Sequence, residues 1–455
     1  MLNQLSDAIA KYKKRVDYLE IRAEESEDTN VQFRGKEMES VSQPFGHGGC
    51  VRALYKGGWG FVSFNDLTEL SSKIEEAVSQ ARLVGCEKSQ LARVEGVEDD
   101  VKVTFKNDPR KVALKDKVGQ MQDYHRQVWE ASSLVSDVSV VYSDGFSRVY
   151  FVSSQGARLV QEFSGIMTGF SVVAREKDLL QRNSATVFDQ YDYSIVETLK
   201  PKINERVTMA ADLLKAKSMK GGNYTVIMDP VMAGTFIHEA FGHLSEADHV
   251  YENKELCRIM KLGRRVGSAS LNVVDEPTMK DGWGSYDYDD EGVKSTKTYL
   301  IKNGILSGRL HSRETAGKMG ETPTGNARAA GFRSRPLVRM SNTYIEAGKA
   351  SFDDMLKDIK LGVYACSFIG GYTDREMFTF TPRWAFMIRN GQLAELVRDV
   401  KLTGNVFKTL DNIEMIGNDL RLKVEPGMCG KGGQHIMVDT GAPHVRIKNI
   451  TIAGQ

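Results

Sequence analysis

Two histidines and a glutamate lie close together at His238, Glu239 and His243. Neutral imidazole nitrogens bind zinc, and a neighbouring carboxylate can take a proton from a water on the ion. In the common zincin helix the two histidines are four residues apart and share one face, whereas here they are five apart. On a regular helix that spacing places them roughly 140° apart, too far round to bind one ion. We therefore predict a wide, π-type turn with an i to i+5 hydrogen bond, which the permissive backbone of Gly242 would favour.

The flanking sequence indicates that this motif is buried. Residues 224–229 have the pattern of a short β-branched strand, and the apolar residues that follow Pro230 have helical spacing. A buried strand therefore leads into a buried helix that carries three polar side chains. Core histidines with ordinary hydrogen-bond partners are the alternative. Buried polar groups need partners, however, and one metal ion would serve all three.

A catalytic zinc site usually has three protein ligands and one open position. Glu246, Asp248 and His249 are candidates that lie close to the histidines in sequence. Cys429 is distant, but it lies in a glycine-rich segment that allows close backbone approach, and a cation lowers a thiol pKa so that the thiolate binds. The spacing of the residues leaves all four candidates open.

Composition and charge limit the class of protein that carries this motif. The chain has 455 residues, of which 41% are hydrophobic and 27% are charged. These values are close to the globular average, and the length is sufficient for two domains. Because the formal net charge is only +1, binding to nucleic acid or to an anionic membrane surface is not indicated.

Three features of the sequence predict a cytoplasmic protein. The first residues have the pattern of an amphipathic helix and lack the apolar core of a signal peptide. No run of 18 apolar residues occurs, so we expect no membrane span. The five cysteines are an odd number without CxxC spacing, and a disulfide framework is therefore not expected.

The first half of the chain combines helix and strand patterns. We predict strands at 16–22, 31–33, 49–55, 59–63, 138–142, 149–152, 157–163 and 166–174. Turns are predicted at 143–145 and at 155–156. Helices are predicted near the N-terminus, at 67–83, at 109–131 with Asp108 as cap, and at 195–216. The double glycine at 221–222 predicts a boundary between an N-terminal domain, 1–220, and a C-terminal domain, 221–455.

The second half of the chain is mostly β. Asn-Gly pairs at 303–304 and 390–391 lie between apolar runs and predict β-hairpins. One helix is predicted from Phe352 to about Leu361, with Ser351 as cap. The predicted fold class is therefore α+β. An N-terminal helix-and-sheet domain precedes a mostly antiparallel β domain that carries the helix with the two histidines.

Two segments could contact a peptide. The backbone of a substrate could approach Gly370 and Gly371 and add to a sheet edge, although an ordinary β-turn would contain the same pair. The loop 324–335 contains Arg328 and two further arginines. This loop could be a mobile lid or a carboxylate clamp, and a solvated basic loop is the alternative.

The chain resembles the TldD/PmbA family of metallopeptidases. The segments that carry the resemblance are HEAFGHLSEAD at 238–248, PTGNAR at 323–328, GGYT at 370–373, IGNDL at 416–420 and MCGKGGQ at 428–434. The helix-and-sheet order of the first half is similar too. TldD-like chains of this family hold zinc with the two motif histidines and a C-terminal cysteine, whereas PmbA-like (TldE) partners lack that site. With His238, Glu239, His243 and Cys429 present, this chain resembles the TldD-like kind.

The resemblance implies a cytoplasmic zinc peptidase that acts on extended or unfolded peptides. One Zn²⁺ per chain would be held by His238, His243 and Cys429, and Glu239 would activate the zinc-bound water as general base. The site would be enclosed in a dimer with an identical chain or with a PmbA-like (TldE) paralogue. One alternative is a non-catalytic scaffold subunit, although a scaffold does not need a complete metal site. The other is a regulator of a DNA enzyme, which the near-zero net charge does not support.

Overall fold

The first part of the chain forms one large sheet with helices packed against it. The computed structural model describes residues 1–374, 376–424 and 427–453. The helices of this part are α1 (Leu2–Tyr12), α2 (Leu70–Val84), α3 (Leu114–Glu130) and α4 (Lys200–Lys215). Its strands are β1 (Tyr18–Arg34), β2 (Glu37–Ser42), β3 (Phe45–Tyr55), β4 (Gly58–Phe64), β5 (Glu98–Val101), β6 (Val135–Ser153), β7 (Arg158–Glu176) and β8 (Leu179–Asp189).

Hydrophobic periodicity explains how these elements pack. The strands run in the order β4-β3-β1-β6-β7-β5, with β2 added to β1 and β8 added to β7. Helices α1 and α2 pack with β1, β3 and β4 in one core, and α3 and α4 pack with β6, β7 and β8 in another. Leu70, Ile74, Ala77 and Ala81 of α2 recur at helical spacing and are all buried. The helix predicted at 67–83 is therefore confirmed.

Three predicted interruptions of this sheet are wrong. The strands predicted at 16–22 and 31–33 belong to the single strand β1, and β6 runs without a break through the turn predicted at 143–145. The strands predicted at 157–163 and 166–174 likewise belong to the single strand β7. Asp144 explains the second error, because its buried carboxylate accepts hydrogen bonds from Lys117 Nζ and from the hydroxyl of Tyr142. Aspartate is common in turns, but Asp144 instead balances the buried charge of Lys117.

Two predicted helices are shorter than expected. Asp108 caps only a 3₁₀ turn, Pro109–Lys111, after which the chain becomes extended until α3 begins at Leu114. The helix predicted from Phe352 to Leu361 ends at Leu356, although Ser351 caps it as expected. The capping residues were identified correctly, but a cap fixes only the first turn of a helix.

The second part of the chain contains many shorter elements. Its strands are β9 (Lys217–Ser218), β10 (Gly222–Met228), β11 (Val273–Asp275), β12 (Thr298–Lys302), β13 (Ile305–Leu306), β14 (Ala327–Arg328), β15 (Leu337–Val338), β16 (Asn342–Ile345), β17 (Leu361–Cys366), β18 (Gly370–Asp374), β19 (Met377–Thr381), β20 (Trp384–Arg389), β21 (Gln392–Arg398), β22 (Lys401–Asn405), β23 (Ile413–Ile416), β24 (Gly427–Lys431), β25 (Gln434–Gly441) and β26 (Val445–Ala453). Its helices are α5 (Pro230–Ile237), α6 (Ala247–Glu252), α7 (Lys254–Ile259), α8 (Arg313–Met319), α9 (Phe352–Leu356) and α10 (Val406–Asp411).

Helix α5 lies between two sheets of this second part. The larger sheet has the order β18-β19-β22-β26-β10-β17-β20-β21-β9, and the smaller has the order β13-β12-β11-β16-β25-β24. Helix α5 contacts β10 and β17 of the larger sheet and β16 and β25 of the smaller one. Most strand pairs are antiparallel, and both predicted Asn-Gly hairpins form, β12 with β13 and β20 with β21. The predicted α+β fold class is confirmed.

Buried charges connect the two parts of the chain. Arg52 of β3 contacts Glu20 of β1 and also Glu291 from the second part, with Nη1 to carboxylate distances of 2.6 and 3.2 Å. Glu291 in turn accepts a hydrogen bond from the backbone N–H of Arg313 at the start of α8. The division into domains at residue 220 remains a prediction. No helix among the described residues is long and apolar enough to cross a membrane, and all five cysteines are free.

Candidate metal centre

Helix α5 is capped at its start and places the two histidines after its end, in the space between the two sheets. Strand β10 ends at Met228, and Asp229 then caps α5 by accepting a hydrogen bond from the N–H of Met232 at 2.7 Å. Pro230 occupies the first turn, where its missing N–H costs nothing. The helix ends at Ile237, and His238 follows it directly.

The winding changes between the two histidines as predicted. Residues His238–Gly242 form a π-helical turn in which the N–H of His243 donates to the carbonyl of His238. This turn brings the two imidazole rings to a centroid separation of 5.4 Å, nearly perpendicular to each other. The prediction of an i to i+5 hydrogen bond is confirmed.

The explanation offered for Gly242 needs correction. Its φ of −55° is an ordinary helical value, so the turn does not depend on the conformational freedom of glycine. A Cβ atom at this position would instead lie 2.1 Å from Sδ of the fully buried Met340. The glycine is therefore explained by close packing, because any Cβ here would force Met340 to move.

Long-range strand pairing brings Cys429 to the histidines. Strand β24 pairs with β25, with Cys429 opposite Ile436, and β25 pairs in turn with β16 beside α5. The fully buried Arg339 donates a hydrogen bond to the carbonyl oxygen of Cys429. Cys429 Sγ lies 3.4 Å from His243 Nε2.

His238, His243 and Cys429 fit a metal ion. One potential ligand atom from each of the three lies within 4.8 Å of the others. His238 Nδ1 is buried and has no hydrogen-bond partner among the described residues, which is unusual for a buried ring nitrogen. Two imidazoles and one thiolate are a donor set that zinc prefers. The residues present therefore suit zinc.

The electrostatics of the three residues favour a thiolate. Burial disfavours the charged form of Cys429, but hydrogen bonds from the two histidines outweigh this effect and lower the pKa of Cys429 to about 5. Burial also opposes protonation of His243, yet contacts with Cys429 and Glu246 raise the pKa of His243 to about 11. The pKa of His238 is raised despite burial, mainly because of its contact with Cys429. Protons here offset the charge of the thiolate, and a bound divalent cation would replace them.

The three nearby ligand candidates occupy different places. Glu246 Oε2 lies 3.1 Å from His243 Nδ1, whereas Cys429 Sγ approaches Nε2 of the same ring. Asp248 accepts a hydrogen bond from Lys431 Nζ at 2.8 Å, and His249 is half exposed. The ligand atoms of these three candidates also lie within 4.8 Å of one another, but the ammonium group of Lys431 already lies among the two carboxylates. Glu246 therefore lies on the Nδ1 side of the His243 ring, whereas Cys429 lies on the Nε2 side.

Glu239 is the accessible carboxylate of the site. Its side chain is one third exposed, and its Oε2 lies 3.9 Å from His243 Nε2. The carboxylate of Glu246 is, in contrast, fully buried and in contact with His243 and Lys431. Only Glu239 of these two acids is free to meet a water or a substrate.

Gly370 and Gly371 are at the edge of the larger sheet. They begin β18, which pairs with β19 on one side and is the terminal strand of the sheet order. Strand β18 also contacts the π-turn that contains Glu239. The two glycines thus belong to an edge strand and not to the β-turn considered as the alternative.

The Arg328 loop is anchored by its neighbours. Its strand β14 pairs with β15, which lies just beyond the loop. Arg328 Nη1 donates to the carbonyl of Met340 at 2.8 Å, and its guanidinium stacks on Tyr286. The backbone N–H of Ala330 donates to Gln434 Oε1. Arg328 also lines a cavity of about 290 Å³ between the N-terminal sheet and residues 428–437. The two histidines and Glu239 do not line that cavity. Substrate binding by Arg328 remains a prediction.

Two residues near the site had no role in the sequence-based hypothesis. Lys431 is visible in the glycine-rich segment two residues after Cys429, but no local signal shows that it meets Glu246 and Asp248, which are 185 and 183 positions away. Arg339 carries no comparable signal, because its sequence neighbours do not reveal that it lies against the carbonyl of Cys429. Both side chains act on the strand that carries the thiol.

Comparisons with known proteins agree on one family. Sequence patterns described as PmbA/TldA metallopeptidase domain 1, central domain and C-terminal domain match residues 19–82, 107–217 and 221–454. A metalloprotease of Synechocystis is 41% identical to this chain over 456 residues, which covers 99% of this chain and 97% of the relative. A zinc metalloprotease TldD homolog of Saccharolobus solfataricus is 31% identical and covers 92% of this chain and 93% of its own.

Solved structures show the same fold. A Thermotoga maritima protein, described as a proposed modulator of a DNA gyrase, aligns over 100% of both chains with a TM-score of 0.80 and 22% identity. TldE from Thermococcus kodakarensis aligns over 99% of this chain and 100% of its own, with a TM-score of 0.76 and 19% identity. At these identities the similarity establishes the fold alone.

Proposed function

The chain belongs to the PmbA/TldD metallopeptidase family, and from this premise we propose that it is a zinc-dependent peptidase that hydrolyses extended or unfolded peptides. Relatives across the whole chain are named metalloproteases, which supports the reaction class. The observation that carries the proposal is the meeting of His238, His243 and Cys429, with the accessible carboxylate of Glu239 beside them.

The proposed metal site holds one zinc per chain through His238, His243 and Cys429. Three protein ligands leave one coordination position free, which is typical of catalytic zinc. When bound, zinc supplies a Lewis acid that acidifies a water and polarises the peptide carbonyl. Proton transfer and substrate binding are carried out by the protein's own residues.

Glu239 is the proposed general base. Its carboxylate accepts a proton from the attacking water and then passes this proton to the leaving amine. It is free for this role because it is partly exposed and its closest ionic contact among the described residues is 3.9 Å away. Glu246 cannot take the same role, because it is fully buried against His243 and Lys431.

The proposed substrate contact is the edge of β18 that pairs with no strand among the described residues. An extended peptide can add to a sheet edge through backbone hydrogen bonds, which are largely independent of sequence. Gly370 and Gly371 lie on this edge, and β18 contacts the π-turn that contains Glu239. Arg328 is a further proposed contact, on the face that borders the cavity.

We expect the active form to be a dimer in the cytoplasm. Its partner is a second copy of this chain or a TldE-like paralogue, since TldE of Thermococcus kodakarensis shares the fold. Light scattering of the pure chain, alone and with the paralogue, distinguishes the two. The net charge of +1 offers no support for nucleic acid as a partner.

The proposal is tested by metal content and turnover on three proteins purified identically. Wild type should contain one zinc per chain and should cleave a quenched fluorescent casein. Cys429→Ala should lose the zinc, because two histidines alone hold it weakly. Glu239→Gln should keep the zinc and lose nearly all turnover, because the ligands remain while the proton acceptor is gone.

Three outcomes would each contradict a part of the proposal. Wild type without metal would favour the non-catalytic scaffold subunit. Glu239→Gln with near wild-type turnover would remove Glu239 as the base. Zinc retained in Cys429→Ala would leave the peptidase in place but would transfer the third ligand to Glu246, Asp248 or His249.

A further inference from the structure

The fully buried carboxylate of Glu246 contacts His243, one of the proposed zinc ligands, on the side of the ring away from Cys429. Glu246 Oε2 is 3.1 Å from His243 Nδ1 and 3.0 Å from Lys431 Nζ, and His249 Nε2 lies 3.6 Å away. A buried carboxylate is costly unless its charge is balanced and its oxygen atoms are hydrogen-bonded. Oε2 meets this requirement through His243 and Lys431, whereas Oε1 has no hydrogen-bond partner among the described residues.

This contact fixes the tautomer of His243. A carboxylate accepts hydrogen bonds and does not donate them, so Nδ1 of His243, which faces Glu246, must carry the hydrogen. The lone pair of neutral His243 is then on Nε2, the nitrogen that faces Cys429 Sγ at 3.4 Å. Imidazole ligands of metals are commonly oriented by a carboxylate in this way.

Lys431 connects the same carboxylate to the strand that carries the thiol. It follows Cys429 by two residues on β24, so both side chains point to the same face of that strand. Lys431 Nζ donates to Glu246, to Asp248 and to the carbonyl of Val338 at 2.8–3.0 Å. Its side chain is only 10% exposed. One ammonium group thus holds the thiol strand against the segment that follows the π-turn.

We propose that Glu246 and Lys431 form a positioning pair that sets the zinc affinity of the site. Glu246 orients His243 with Nε2 toward the ion, and Lys431 fixes Glu246 relative to Cys429. Neither residue is a ligand or a catalytic group. This inference depends on the proposed zinc site and does not depend on peptide hydrolysis.

Zinc dissociation constants, measured by competition with a chromophoric chelator at fixed pH, test the pair. We expect Glu246→Gln to bind zinc about 10 to 100 times more weakly, as removal of such a partner usually does. Lys431→Met should weaken binding roughly tenfold, and the double variant should lose less than the product of the two factors because both act on one contact. Asp248→Asn is the matched control, since it removes the same charge and a contact with Lys431 but does not touch His243.

The spectrum of the Co²⁺-substituted protein separates positioning from ligation. If Glu246 only orients His243, Glu246→Gln retains the thiolate-to-cobalt absorption and the tetrahedral d–d bands of wild type, with a weaker dissociation constant. Loss of the tetrahedral bands would make Glu246 a ligand and would overturn the inference. Thermal melts of the metal-free proteins identify a variant that is unfolded, in which case Lys431→Met provides the measurement.

Other outcomes also distinguish this inference from the proposed function. Wild-type zinc affinity in both Glu246→Gln and Lys431→Met would overturn the positioning pair alone. An equal loss in Asp248→Asn would also overturn it, because general charge would then explain the effect. Tight zinc binding by wild type without any peptidase activity would refute the proposed function and leave the positioning pair intact.

Discussion

Gly242→Ala tests whether close packing, and not backbone freedom, explains the glycine in the π-turn. Its φ of −55° suits alanine, but the new Cβ would lie 2.1 Å from Met340 Sδ. Ordinary contact begins at 3.4 Å, so the two atoms would be 1.3 Å too close. Met340 is fully buried, and its sulfur cannot move into solvent.

The expected cost of this substitution follows from overpacking. Extra methyl groups in a packed core typically cost about 1–3 kcal/mol. At roughly 2–4 °C per kcal/mol for a unit of 150–250 residues, the melting midpoint should fall by about 2–12 °C. Because the added methyl group would displace the backbone between the two histidines, the zinc affinity should fall as well.

The assay is thermal unfolding of metal-free wild type, Gly242→Ala, Met340→Ala and the double variant. Met340→Ala alone should cost about 2–5 kcal/mol because it leaves a cavity. The double variant should cost less than the sum, because the second change removes the clash created by the first. Gly119→Ala in α3 is the matched control. Its Cβ would meet no atom within 4 Å, so it should stabilise the protein by about 0.5–1 kcal/mol.

Two results would refute the reasoning about Gly242. A midpoint equal to that of wild type would show that Met340 moves aside without cost. Strict additivity in the double variant would show that the two side chains do not oppose each other. In either case the glycine would need a different explanation, such as access of the substrate to the turn.

Four further predictions concern the sheet edge and two buried charges. Gly370→Ala should raise KM roughly fivefold, about 1 kcal/mol, without loss of stability, because its Cβ meets open space beside the sheet edge to which the peptide is proposed to add, where a methyl group would hinder its approach. Gly371→Ala should destabilise the protein by about 1–3 kcal/mol, because its Cβ would lie 2.3 Å from the ring of Phe380. Burial raises the pKa of Asp439 to about 7, so folding favours its protonated form, and stability should fall as pH rises from about 4 to about 7. Asp439→Asn should flatten this dependence and be more stable than wild type at pH 8, by up to about 4 kcal/mol. Arg52→Met should cost about 3–5 kcal/mol in denaturant unfolding, since it leaves two buried carboxylates without their cation.

Each of these predictions has a clear contrary result. An unchanged KM in Gly370→Ala would exclude backbone approach at that residue. Parallel pH profiles for wild type and Asp439→Asn would show that the Asp439 carboxyl does not titrate as inferred. Arg389, half exposed beside Glu395, is the control for Arg52. An exposed pair contributes about 0–1 kcal/mol, and a similar small loss in Arg52→Met would contradict the role given to burial.

Much of the fold was predictable because its determinants are local. Alternation identified the strands, helical spacing identified α2, and the Asn-Gly pairs identified two hairpins, since each signal depends on a few neighbouring residues. The errors occurred where a distant contact outweighed a local preference. Asp144 has a residue type common in turns, but its ion pair with Lys117 keeps it within a long strand.

The sequence by itself determined the local half of the candidate site. His238, Glu239 and His243 lie within six residues, and their spacing required the π-turn because one ion cannot be reached across 140° of a regular helix. The need for this winding follows from the spacing of neighbouring residues. That information is contained in the segment itself.

Only the tertiary structure decided which further residues join the histidines. Cys429 and Glu246 were both open as third ligands, and they differ by the side of the His243 ring on which they lie. That difference arises from the pairing of β24 with β25 and of β25 with β16, which brings together residues 186 positions apart. Such pairing depends on the packing of whole sheets around α5, so no local sequence pattern predicts it.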